Sequence, residues 1–138
     1  MAQRGDGPVT VAIINTNHDL VRLLRFNLEA AGFVVFELHI EQIRTGEADI
    51  AGFLEQHDPR VIVYDVAPPY EKNWNFMEHI RSSPGFEDRK FVLTTMNSER
   101  LYQIVGNDEA VYEIVGLAED LRAVVQAVKE ASRARATR

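Results

Sequence analysis

Short apolar runs alternate with amphipathic stretches along the whole chain, and no other feature constrains its fold as much. The first run, Val9-Thr10-Val11-Ala12-Ile13-Ile14, is rich in β-branched residues and suits a strand buried on both faces. Leu20, Leu23, Leu24, Leu28 and Ala31 then recur at helical spacing, while Arg22, Arg25 and Glu29 fall off that stripe. Asn17 is placed to cap this helix and Gly32 to stop it.

The cycle repeats with Phe33-Val34-Val35-Phe36 as a second strand. Asp49 is placed to cap a short helix with Ile50, Phe53, Leu54 and His57 on one face. Between them, His39 to Ala48 carries Ile40 and Ile43 but also Gly46 and several charges, which reads as a long loop with room for one helical turn. Asp58-Pro59 ends that helix, because a residue before proline is pushed out of the α region, and Arg60 to Asp65 reads as a third, central strand. After Pro68-Pro69, Asn73 is a candidate cap for a helix with Phe76, Met77 and Ile80 on its core side, ending near Ser82-Ser83-Pro84-Gly85. Phe91 to Thr95 is the fourth strand, and a weaker helix from about Ser98 to Val105 follows. Beyond Gly106-Asn107-Asp108, Val111 to Val115 is the fifth strand, and Leu121, Val124, Val125 and Val128 stripe the last helix.

Five strands alternating with five helices over short connections imply right-handed crossovers and a parallel sheet covered on both faces. A doubly wound α/β domain meets that requirement, and its chemistry gathers at the carboxyl ends of the strands near the topological switch point. The expected organisation is a flexible segment over 1–8, one domain over 9–131 and a basic tail over 132–138.

Composition narrows the function classes. There are no cysteines among the 138 residues, so disulfides and cysteine-ligated zinc are excluded. With no apolar signal core in 1–8 and no apolar run near the roughly 18 residues of a membrane helix, a cytoplasmic location is the default expectation. A formal net charge of -6 argues against direct nucleic-acid binding, which needs a basic surface. Arg133, Arg135 and Arg138 fit a solvated helix end better than a binding tail. His18, His39, His57 and His79 lack ligand spacing, and neither a G-x-G-x-x-G turn nor a Walker-type loop is present.

The strand ends then carry the chemistry: Asn15-Thr16-Asn17 after the first, Asp65 after the third, Thr94-Thr95 after the fourth and Val115-Gly116 after the fifth. This order resembles the response-regulator receiver family from Val9 to about Ala131, including Ala30-Ala31-Gly32-Phe33 and the Asp65-x-x-x-Pro69 spacing. The resemblance implies a flavodoxin-like five-stranded sheet of order 2-1-3-4-5, with Asp65 as phosphoacceptor and Thr94 as the hydroxyl switch residue. Tyr112 is similar to the family's aromatic switch. The family's magnesium-binding acidic pair falls on Asn15 and Thr16, and its lysine on Val115 or Gly116.

These departures weaken both supports of a phosphoryl group in transfer, the metal ion and the nearby cation. Magnesium favours charged oxygen ligands, so Asn15, Asp65 and the Ala67 carbonyl make a poor site, and no cofactor is required by the reading. Removal of two neighbouring anions also removes a like-charge reason for a raised pKa at Asp65. Each residue has a plainer reading too. Asp65 could accept N–H bonds in the turn before Pro68, Thr94 and Thr95 are ordinary strand residues, and Tyr112 fits a half-buried strand position. Tyr70, Trp74 and Phe76 are either core packing or a partner patch.

The leading expectation is therefore an atypical receiver-like module that docks on a protein partner, a histidine kinase or a downstream effector, with no enzymatic activity and with homodimerisation left open. The alternative is a phosphorylatable single-domain regulator accepting phosphate at Asp65. A small-ligand binder or enzyme on a flavodoxin-like fold ranks below both, since no nucleophile and base pair up in the sequence.

Overall fold

The computed structural model describes residues 7–15, 17–105, 112–116 and 121–133, with 112–116 described as backbone. Its elements run β1 (Thr10–Asn15), α1 (His18–Ala30), β2 (Val34–His39), α2 (Ile40–Arg44), α3 (Ile50–His57), β3 (Val61–Asp65), α4 (Tyr70–Arg81), β4 (Lys90–Thr95), α5 (Ser98–Val105), β5 (Tyr112–Gly116) and α6 (Leu121–Arg133). All strand pairs are parallel and the order is β2-β1-β3-β4-β5, as the receiver resemblance implies.

Alternation along the strands divides the core in two, because successive side chains leave a strand on opposite faces. Val11, Ile13, Val61, Val63 and Val92 pack with Val21, Leu24 and Leu28 of α1 and Val124, Ala127 and Val128 of α6. Ala12, Ile14, Ile62, Tyr64, Phe91 and Leu93 pack on the other face with Leu54, Trp74, Met77, Ile80, Leu101 and Val105. The three inner strands are continuous apolar runs because both of their faces are covered; the edge strand β2 keeps Val34 and Glu37 exposed.

Local chemistry sets the helix ends. Asn17 caps α1 by accepting the Leu20 N–H at 3.0 Å, and Asp49 caps α3 by accepting the Gly52 N–H at 3.1 Å, both as the sequence predicts. Gly32 closes α1 at φ +101°, a left-handed conformation that favours glycine.

Two local expectations are corrected. The stretch after β2 holds the helical turn for which the sequence left room but is not a long loop: β2 runs to His39, α2 follows at once, and the irregular stretch is confined to 45–49. His39 caps α2, its Nδ1 accepting the Glu41 N–H at 3.2 Å while the Gln42 side chain accepts the His39 N–H at 3.4 Å. Histidine is not among the strong capping residues, so the signal is easily overlooked. Asn73 is not a cap either. α4 begins at Tyr70 behind Pro69, and Asn73 lies within the helix. Its Nδ2 instead donates to the Ala67 carbonyl at 2.6 Å and ties the β3–α4 connection to the helix. The aromatic group is packing: Trp74 is buried, and Tyr70 and Phe76 lie partly buried against the same core.

Candidate functional site

The register of the sheet assembles the strand ends. Asp65 pairs with Thr94, and Thr94 pairs with Val115. Asn15 follows Ile14, the partner of Tyr64, and therefore stands at the level of Asp65. Side chains in register across parallel strands share a face, so one row crosses the top of the sheet with Asp65 and Thr94 at its centre.

Within that row Thr94 is fully buried, and its Oγ1 donates to Asp65 Oδ1 at 2.7 Å. Burial pushes the Asp65 carboxyl up from its ordinary pKa, and the Thr94 hydrogen bond opposes that shift by favouring the ionised form. The cause is desolvation, which replaces the like-charge effect that a neighbouring acidic pair would supply. Burial likewise pushes the adjacent Tyr64 hydroxyl up; Arg44 acts against this shift and Asp65 with it.

The neighbouring positions differ in kind. Asn15 is 2% exposed, and its Oδ1 accepts the Asn17 N–H at 2.9 Å. That bond orients the amide toward the start of α1. In the register position beside Thr94, β5 places Val115, and Thr95 is paired with Gly116. Thr16 lies outside the described residues, and so does the side chain of Tyr112, whose backbone opens β5.

Among the described residues, the oxygen donors of the row include one carboxylate, where a hard divalent ion favours several charged ligands. Asn15 Oδ1 is engaged by Asn17, the Ala67 carbonyl by Asn73 and one Asp65 oxygen by Thr94, which leaves a neutral amide and a carbonyl beside a single carboxylate. Among the described residues there is no group of three His, Cys, Asp or Glu side chains that could hold a metal ion.

Two hollows flank the row. A cavity of about 270 Å³ is lined by Ile40, Arg44, Tyr64, Asp65, Lys72 and Asn73, together with the Ala67-Pro68-Pro69 turn. A second, of about 430 Å³, lies at the β1 and β2 ends and includes Asn15, His18, Glu37 and His39. The structure brings His18 and His39 to 5.0 Å between ring centroids, a neighbourhood that their sequence separation hides. His57 stacks on Phe36 at 3.7 Å and is a packing residue on the helix face. Arg44 and Lys72 were not legible as site residues. The one available signal for Arg44 was the helical turn suspected around Ile40 and Ile43.

No protein-family model matches the chain, and no curated protein matches it. Solved structures do. A sensor protein from Polaromonas matches with a TM-score of 0.66 at 17% identity, over 89% of this chain and 94% of that one. A response regulator receiver protein from Sinorhizobium medicae matches with a TM-score of 0.62 at 18% identity, over 93% and 97%. A cobalamin-binding protein from Desulfitobacterium hafniense matches with a TM-score of 0.61 at 16% identity, over 90% of this chain but 59% of that one. One architecture is thus shared by proteins of different printed description, and function has to be argued from the site. At these identities the likeness carries architecture alone, and the architecture of this chain is that of the response-regulator receiver domain.

Proposed function

We propose that the protein is an atypical receiver module of a two-component signalling pathway that acts by docking on a protein partner, a histidine kinase or a downstream effector. The observation that carries this reading is the contrast within the strand-end row. Asp65 and Thr94 stand in hydrogen-bond contact at 2.7 Å, but the position level with Asp65 on β1 holds the amide of Asn15. Without a carboxylate pair, magnesium binds weakly and no cofactor is required. Without a lysine at Val115 or Gly116, the charge of a phosphoryl group in transfer has little support from β5. The module has no enzymatic role in this reading.

In the receiver family, partners commonly dock on the face made by the helix after the fourth strand, the fifth strand and the last helix. Here Met96, just before α5, and Tyr102 on α5 leave large apolar side chains exposed beside that face. The acidic net charge and the lack, among the described residues, of a helix long and apolar enough to cross a membrane favour a protein as the partner.

A second reading rests on the same 2.7 Å contact: Asp65 still accepts a phosphoryl group, with Thr94 turning toward its oxygens. Titration of magnesium and then beryllofluoride, followed by backbone NMR at Asp65, Thr94 and Tyr112, separates the two. The docking reading expects no specific shifts at millimolar ligand in a folded sample. Saturable shifts confined to those residues would overturn it in favour of phosphorylation.

A further inference from the structure

The cavity on the α2 and α4 side of β3 presents two cations that no part of the proposed mechanism uses. Arg44 comes from the end of α2 and Lys72 from the first turn of α4, and both line a space of about 270 Å³ with Asn73 and the Ala67-Pro68-Pro69 turn. Arg44 is held in place from two sides. Its guanidinium lies 5.1 Å from the Phe76 ring centroid, and it meets Glu41 at 3.4 Å in an exposed pair within α2. Exposed pairs of this kind are weak and leave the guanidinium's other donors available. Lys72 has no ion-pair partner among the described residues. Among the described residues, Asp65 is the carboxylate lining the cavity; it is engaged by Thr94 and forms no ion pair with either cation.

We propose that this cavity binds a small oxyanion of the phosphate class, without covalent change, through the Arg44 guanidinium and the Lys72 ammonium. A fork of planar N–H donors and a mobile point charge, set across a hollow, suit a tetrahedral oxyanion that both can reach. Asn73 has one carboxamide N–H left after its bond to Ala67, which adds a neutral donor at the same wall. The volume is close to the lower end of ligand cavities, roughly 300 Å³, and so limits the ligand to a phosphate group with few further atoms. Occupancy would bridge α2 to α4 across the end of β3 and fix the segment between Asp65 and Tyr70, giving the module a ligand-sensitive surface that does not depend on phosphorylation of Asp65.

Inorganic phosphate is the probe, added to labelled protein in metal-chelated buffer at constant ionic strength, with chloride as the matched control. Because it is not a phosphoryl donor and the metal is chelated, the result is independent of whether Asp65 can be phosphorylated. The expected result is saturable shifts at the Lys72 and Asn73 amides with phosphate and not with chloride. Loss of one charge-assisted contact should weaken binding by about tenfold in each of Arg44→Gln and Lys72→Gln. Both variants keep an aliphatic stem at an exposed position, and an unchanged melting temperature confirms that each is folded. The proposal is overturned if phosphate and chloride produce the same shifts, or if either folded variant binds phosphate as tightly as the parent.

Discussion

The ends of β1 and β3 occupy equivalent places in the sheet, at the same level and with the same facing, yet they hold opposite chemistry. At β3, a partly buried carboxylate is stabilised by a hydroxyl one strand away, a contact made only because the β3–β4 register sets Asp65 beside Thr94. At β1, a buried amide is stabilised by its own chain two residues on, through the Asn17 N–H. The first arrangement is non-local and poised, since a partner for Asp65 on β1 would change its ionisation. The second is local and closed, since it serves to start α1. The difference teaches that two strand ends at one level of a parallel sheet can be settled by contacts of opposite range, a carboxylate by the neighbouring strand and an amide by its own chain.

Substitutions break or sharpen this contrast by different amounts. The largest effect is expected from Asn15→Asp, which puts a second carboxylate at a position 2% exposed and should cost about 3 kcal/mol at neutral pH. Burial would raise the pKa of the introduced group, so the penalty is absent below the unfolded carboxylate pKa and grows as pH rises through the folded value. Urea unfolding across that window checks both size and sign. If magnesium at millimolar levels also restores stability in this variant and not in the parent, the missing charge is what separates the two strand ends.

Thr94→Val comes next. It keeps the shape of a fully buried side chain and removes the donor to Asp65, at an expected cost of about 2 kcal/mol at neutral pH. Loss of that bond removes the influence that lowers the Asp65 pKa, so NMR titration of the Asp65 carboxyl should show it higher than in the parent.

Asn17→Ala probes the local arrangement at β1. The Leu20 N–H loses its acceptor, and the expected loss is about 1 kcal/mol, read as a lower denaturation midpoint at unchanged slope. Phosphate binding at Arg44 and Lys72 should be unaffected, because α1 contributes nothing to that cavity.

The smallest effect carries the opposite sign. Asp65 has a folded pKa raised by burial, so its neutral form favours the fold below the unfolded pKa, and that contribution is lost as pH rises through the folded value. Asp65→Asn keeps an acceptor for the Thr94 hydroxyl and removes the titration. It should therefore be slightly more stable than the parent at neutral pH, and the parent's gain on acidification through the carboxylate range should be smaller in the variant. Paired melts at pH 5 and pH 7 decide it, and a less stable variant at pH 7 would mean that the ionised form is better solvated than its burial implies.

Much of the framework was legible because it depends on periodicity and on single residues with strong local preferences. The β-branched runs, Leu24 and Leu28 of the α1 stripe, the capping side chains of Asn17 and Asp49 and the left-handed turn at Gly32 each act within a few residues of chain, whereas Leu23 and Ala31, expected on that stripe, are exposed and Val21 is buried instead. Asp65 and Thr94 were legible as candidates because strand ends in a parallel sheet are places of known meaning. α2 was legible only as room for one helical turn within a loop, because a histidine cap on a five-residue helix gives little local signal. Asn73 was misjudged for a related reason: its amide satisfies a carbonyl outside the helix, a role that looks like a cap in sequence.

By itself the sequence determined the alternation of elements, the burial of the central strands on both faces, the carboxylate at Asp65 and the amide at Asn15. Only the tertiary structure decided what those groups touch. The 2.7 Å bond from Thr94 spans 29 positions, the rings of His18 and His39 meet from different elements, and Arg44 and Lys72 face one cavity from two helices. The physical reason is range: propensity and capping are settled by neighbours along the chain, whereas hydrogen bonding and desolvation at a strand end depend on register and packing that exist only once the sheet has closed.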